Sequence, residues 1–193
     1  MNPEPYSLEQ QRQQFAERRF LAMPLAGLLM WLLIGTAALF LSPTQVVWTL
    51  FIGTGSIVYV GMLLARFTGE DFFNKTKPKN TFDNLFFLAT GMSLLVYAVA
   101  IPFFQADYTS LPLTVGILTG LMWMPLSWII QHWVGVFHAV VRTLLLVAAW
   151  YLFPGSRFVV LPLLIVAMYV VTIGILEYRW RALKRQTPAG ALA

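Results

Sequence analysis

Arg142 and His138 stand where charge is hardest to keep. Arg142 lies well inside an apolar run that begins near Val134, and His138 precedes it by four residues. On a helix that spacing places both on one face, with Arg142 about 12 Å in from the start of the run. A guanidinium at mid-membrane depth costs about 2.5–3.5 kcal/mol on insertion scales, and arginine cannot escape by losing its proton. It must reach an interface, pair with an acid, or face water or carbonyls. Histidine is the side chain that changes charge nearest neutral pH. A fixed cation beside a titratable ring is the raw material of an anion or proton site. The plainer reading is that Arg142 pins its helix to the inner headgroups or to one acid. Gln131 and His132 extend the polar cluster toward the nearer end of the run. Glu177, Asp71 and Asp83 are the acids at similar depth.

Other chemistry is sparse. Ser93 sits in Gly91-Met-Ser-Leu94, a loose match to the Gly-x-Ser of intramembrane serine proteases, and would need His138 as its base. His132 and His138 would need a third ligand to hold a metal. No HExxH, no Walker loop, no paired acidic motif within a span and no cysteine is present. The sequence therefore points to no enzyme, no metal and no cofactor. Pro102, Pro125 and Pro162 fall inside apolar runs and remove backbone donors. Pro125, near the middle of its run, is the hinge candidate. Gly116 and Gly120 make a smooth strip suited to close helix packing. Gly27-Leu-Leu-Met-Trp31 is echoed by Gly120-Leu-Met-Trp123, a faint sign of an inverted repeat.

The elements that must position these residues are apolar helices. Six stretches, about 21–41, 45–66, 85–104, 111–131, 134–153 and 157–176, approach the roughly 20 residues needed to span hydrocarbon. Hydrophobic residues are 59 % of the chain and charged residues 11 %, against about 25 % charged in a soluble domain. The expected fold is all-α, a six-span transmembrane bundle over 21–178. An amphipathic N-terminal helix over 1–20, capped by Ser7 and Gln10 and running to about Ala22, precedes it, and a basic tail over 179–193 follows.

Charge threads the chain. Arg12, Arg18, Arg19, Arg66, Lys75, Lys77, Lys79, Arg179, Arg181, Lys184 and Arg185 all fall on one side if the spans alternate. Cytoplasmic loops are rich in Lys and Arg, so both termini should be cytoplasmic, in a cell (inner) membrane. These residues sit at span ends, where they would meet anionic lipid headgroups rather than nucleic acid. The connection 67–84 is the longest and reads as a solvated linker, or as a gate or docking loop.

Two stretches carry a resemblance. Residues 27–51, GLLMWLLIGTAALFLSPTQVVWTLF, and 132–173, HWVGVFHAVVRTLLLVAAWYLFPGSRFVVLPLLIVAMYVVTI, resemble an uncharacterised bacterial family of small polytopic membrane proteins, a domain of unknown function. The similarity covers most of the chain from about Gln11. It implies a six-helix membrane architecture and no established activity, so it brings no site residues. From the residues alone the function is a small-solute or ion permease or binding protein, with its polar site toward the cytoplasmic side. The alternative is a non-transporting scaffold or regulatory subunit.

Overall fold

The computed structural model describes residues 6–70 and 80–186, the side chains of Ser93 and Gln186 excepted. These residues form eight α-helices and one 3-10 turn, with no strand among them. They are α1 (Leu8–Ala16), α2 (Ala22–Ala37), α3 (Pro43–Thr68), α4 (Thr81–Ala106), a 3-10 turn (Tyr108–Ser110), α5 (Leu111–Gly120), α6 (Trp123–Ile129), α7 (Val134–Leu152) and α8 (Arg157–Gln186). Five segments are long and apolar enough to cross a membrane: α3, α4, the composite Tyr108–Ile129, α7 and α8. Only 18–44 % of their most apolar windows is buried, so most of the greasy surface faces outward, as a lipid-facing bundle requires.

Helix ends follow local chemistry. Ser7 and Gln10 form the expected capping box, Gln10 N–H donating to Ser7 Oγ (3.3 Å) and Ser7 N–H to Gln10 Oε1 (2.8 Å). α3 starts on Pro43, whose missing N–H is no loss at the first turn. It ends at Gly69, which takes φ +74°, the left-handed stop that glycine adopts without penalty. Asn80 caps α4 by accepting from Phe82 N–H (2.9 Å).

Several expected boundaries are corrected. The N-terminal helix stops at Ala16 rather than near Ala22, because the chain turns at Phe20 (φ 54°) before α2 begins. Nor does α1 lie free on a surface. Phe15 is buried against Phe20, Phe82 and Phe86, and Gln11 accepts from Asn80 Nδ2 and Thr81 N–H (2.7 and 2.9 Å). The first expected span, 21–41, is a helix only over Ala22–Ala37, about 24 Å long. It closes in tight turns, with Leu39 N–H on Thr36 O and Phe40 N–H on Ala37 O (both 3.1 Å).

The fourth run, 111–131, is two helices with a break at Leu121–Met122. Pro125 explains the place: its ring crowds the carbonyl four residues back, that of Leu121, and offers it no N–H. α4 and α8 continue through Pro102 and Pro162. The helix of the sixth run continues beyond 176 into the basic tail. α8 continues to Gln186, helped by the i, i+4 pair Glu177–Arg181 (2.9 Å).

α2 packs chiefly on α3 and α8, α7 on α8, α5 and α6, and α4 on α5 and α1. Arginines expected to lie near lipid headgroups also bind one end of the bundle together. Arg18 pairs with Asp83, and Arg19 pairs with Glu177 (2.9 and 3.0 Å). Arg179 donates to the carbonyls of Ala16 (2.8 Å) and Ile130 (3.3 Å). At the other end Arg157 lies 3.4 Å over the Trp150 ring, donates to Thr109 Oγ1 (2.8 Å) and faces Asp107 (3.7 Å).

Candidate functional site

Arg142 is 1 % exposed and His138 0 %. The depth needs a channel through neighbouring helices, and small residues provide it. A Cβ on Gly120 would press on Arg142 Cδ (3.2 Å) and Nε (3.3 Å); one on Gly116 would press on Leu146 and Ile165. The glycine strip of α5 therefore receives α7 and α8, and its last position receives the arginine stem. Gly27 of α2 does the same for the Tyr169 ring, which a Cβ there would strike.

Arg142 neither snorkels nor meets an acid. One terminal nitrogen contacts His138 Nε2 (3.2 Å), and the other donates to Thr119 Oγ1 (3.1 Å). Its Nε finds no acceptor among the described residues. The faces of Trp31 and Tyr169 lie 5.7 and 5.6 Å from the guanidinium carbon, within the range of cation–π attraction. No carboxylate among the described residues pairs with it: Glu9, Asp83, Asp107 and Glu177 are held by other arginines. Glu70 accepts from Leu21 and Ala22 N–H (both 2.8 Å). Asp71, also considered as its acid, lies outside the described residues.

Geometry fixes the tautomer of His138. Arginine only donates, so Nε2 must accept, and the ring hydrogen sits on Nδ1. Nδ1 then donates to Thr172 Oγ1 at 2.7 Å. Trp123 stacks on the imidazole at 4.4 Å and 25°, and Tyr169 lies 5.2 Å away. With both ring nitrogens engaged, the pairing of His138 with Ser93 has no free nitrogen to use; the side chain of Ser93 itself lies outside the described residues.

The structure divides the sequence candidates. Arg142 and His138 meet. Gln131, His132 and Glu177 stand apart from them. Gln131 is exposed, takes φ +49° and turns the chain between α6 and α7. His132 Nδ1 accepts from Val134 N–H (3.3 Å). Burial, and secondarily the charge of Arg179, holds the His132 ring below the usual histidine range. Glu177 belongs to the Arg19–Arg181 cluster. The Arg142–His138 pair therefore lies deeper in the bundle than the α6–α7 turn, because Arg142 is midway along α7. Pro125 is exposed and shapes the α5–α6 break beside Thr119. No group of three metal-ligating side chains occurs among the described residues.

Sequence reasoning missed Thr119, Thr172, Tyr169, Trp31 and Trp123. One signal did mark some of them. The echoing Gly–Trp stretches flank the site, with Trp31 at Arg142 and Trp123 at His138, while Gly27 and Gly120 admit Tyr169 and Arg142.

Beside this cluster lies a cavity of about 100 Å³ between α3 and α4. Thr119, Trp123 and Tyr169 form its inner wall, with Arg142 one side chain behind. α3 and α4 are tied across it by Thr54 and Tyr97. Thr54 donates to Leu50 O (2.6 Å), so Tyr97 donates to Thr54 (2.5 Å).

No curated protein and no solved structure matches the chain. A family model does match, over residues 8–179, and so takes in every helix that builds this site: the chain belongs to the family of unknown function DUF7010.

Proposed function

We propose that this is a membrane protein that binds and passes a small anion, with Arg142 as the fixed charge and His138 as the group that aims it. One observation carries this: a fully buried guanidinium has only neutral partners among the described residues and adjoins a cavity. A buried charge without a counter-charge is costly, and an anion in the cleft would offset that cost. The topology that fits is six spans, α2 crossing as a short span where the membrane thins locally, with both termini on the cytoplasmic side of a cell membrane. The clustering of α1, the start of α4 and the end of α8 at one basic end supports it.

The test is thermal stability of purified protein against chloride, phosphate and carboxylates, with anion flux in proteoliposomes. An anion should raise the melting temperature of the wild type and not of Arg142→Gln, and His138→Ala should reduce flux. If no anion stabilises the protein and both variants leave flux unchanged, the site is structural and a scaffold or regulatory role takes its place.

A further inference from the structure

The cleft between α3 and α4 narrows the choice of anion. Its volume of about 100 Å³ is smaller than the roughly 150 Å³ engineered cavity that binds benzene. Its walls are chiefly apolar, from Val58, Ala89, Leu94 and Leu126. Among the described residues neither lysine nor arginine lines it; the charge nearest its inner wall is that of Arg142, behind Thr119 and Tyr169. Low dielectric lets one charge act across such a layer. One cation cannot match a divalent anion, whose desolvation is far costlier. Glu70, at the margin of the cavity, also opposes added negative charge.

Gly55 bears on whether the space is kept open. It is half-buried in the middle of α3 and lines the cavity, yet a Cβ built on it meets nothing within 4 Å. Glycine within a helix costs about 0.5–1 kcal/mol relative to alanine, and here no neighbour demands it. Gly27, Gly61, Gly116, Gly120 and Gly135 differ, since each meets an adjacent side chain or backbone. Gly91 and Gly174 are equally open but exposed, whereas Gly55 lines the cavity.

Resting on the anion reading above, we infer that the cleft takes a short-chain monocarboxylate, with its apolar body between α3 and α4 and its carboxylate against the Thr119–Tyr169 wall in front of Arg142. A single negative charge suits one cation, and a short hydrocarbon body suits a small greasy space.

The experiment compares acetate, butyrate, octanoate, chloride and phosphate at equal ionic strength, reading melting temperature and competition for flux. Butyrate should stabilise the wild type saturably and more than chloride or phosphate. Gly55→Leu, whose Cβ has no neighbour within 4 Å, adds bulk to the cleft and should weaken butyrate about tenfold without lowering the unliganded melting temperature. Ala89→Met, filling from α4, serves the same end if Gly55→Leu does not fold. Stabilisation by chloride or phosphate alone overturns the carboxylate and leaves the anion reading standing. No stabilisation by any anion overturns both. Octanoate bound equally well by Arg142→Gln identifies a lipid-tail groove and overturns the proposal. So does butyrate bound normally by both filled variants.

Discussion

The basic end of the bundle and its middle treat the same side chain in opposite ways. At the end, Arg12, Arg18 and Arg19 each meet a carboxylate, and all stay partly exposed. Such pairs are individually worth little, about 0–1 kcal/mol, but those of Arg18 and Arg19 tie the segment after α1 to α4 and α8. In the middle, Arg142 is buried against an imidazole nitrogen, a threonine hydroxyl and two aromatic faces, with no carboxylate paired to it among the described residues. The first arrangement is built for holding. The second is costly by itself, and on the anion proposal a bound anion offsets that cost.

That contrast is open to measurement. The largest effect should come from Arg142→Met, which replaces an uncompensated buried charge with an apolar chain of similar reach. In detergent without added organic anion, it should raise stability by about 1–4 kcal/mol; a clear loss would mean that the guanidinium is a structural keystone like those at the end. Gln131→Gly is next. It relieves a left-handed residue that costs about 1–2 kcal/mol, so the melting temperature should rise modestly, with the response to anions unchanged. Arg19→Gln should destabilise by no more than about 1 kcal/mol, since Glu177 keeps Arg181.

The smallest effect is one of pH. The His132 ring is held below its ordinary range by burial and then by Arg179, so the folded protein favours the neutral ring. The unfolded chain then binds more protons in the window just below about pH 6.5, and stability rises with pH there. Equivalently, this contribution is complete above that value and is lost as pH falls. Melting curves of wild type and His132→Gln should diverge only in that window. Divergence above it would place the titration elsewhere.

How far the site could be read from sequence depends on the kind of signal. Arg142 and His138 were legible because a charge and a ring at i, i+4 in an apolar run have few bland explanations. Thr119 and Thr172 were not, since a threonine in a membrane helix usually bonds its own backbone, as Thr119 also does with Val115 O (2.6 Å). Their distance from Arg142 and His138 along the chain gave no hint of contact. Glu177 looked like a partner by depth alone, and a nearer arginine claimed it. Apolar runs announced most of the helices, yet hydropathy could not see that Ala22–Ala37 would close early or that α8 would extend past its greasy part. The burial of Phe15 was equally hidden, because an aromatic on an amphipathic helix reads the same whether it meets lipid or protein.

α8 carries one further consequence. Beyond Pro162 it runs unbroken through Tyr169 and Thr172, which touch the central cluster, to Glu177 and Arg179, which grip α1 and the α6–α7 turn. Those two stations are about 12 Å apart on a single stiff rod. Any displacement of the rod at its core station must be accommodated at the other, so filling or emptying the interior would register as tightening or slackening of the latch that secures the first helix.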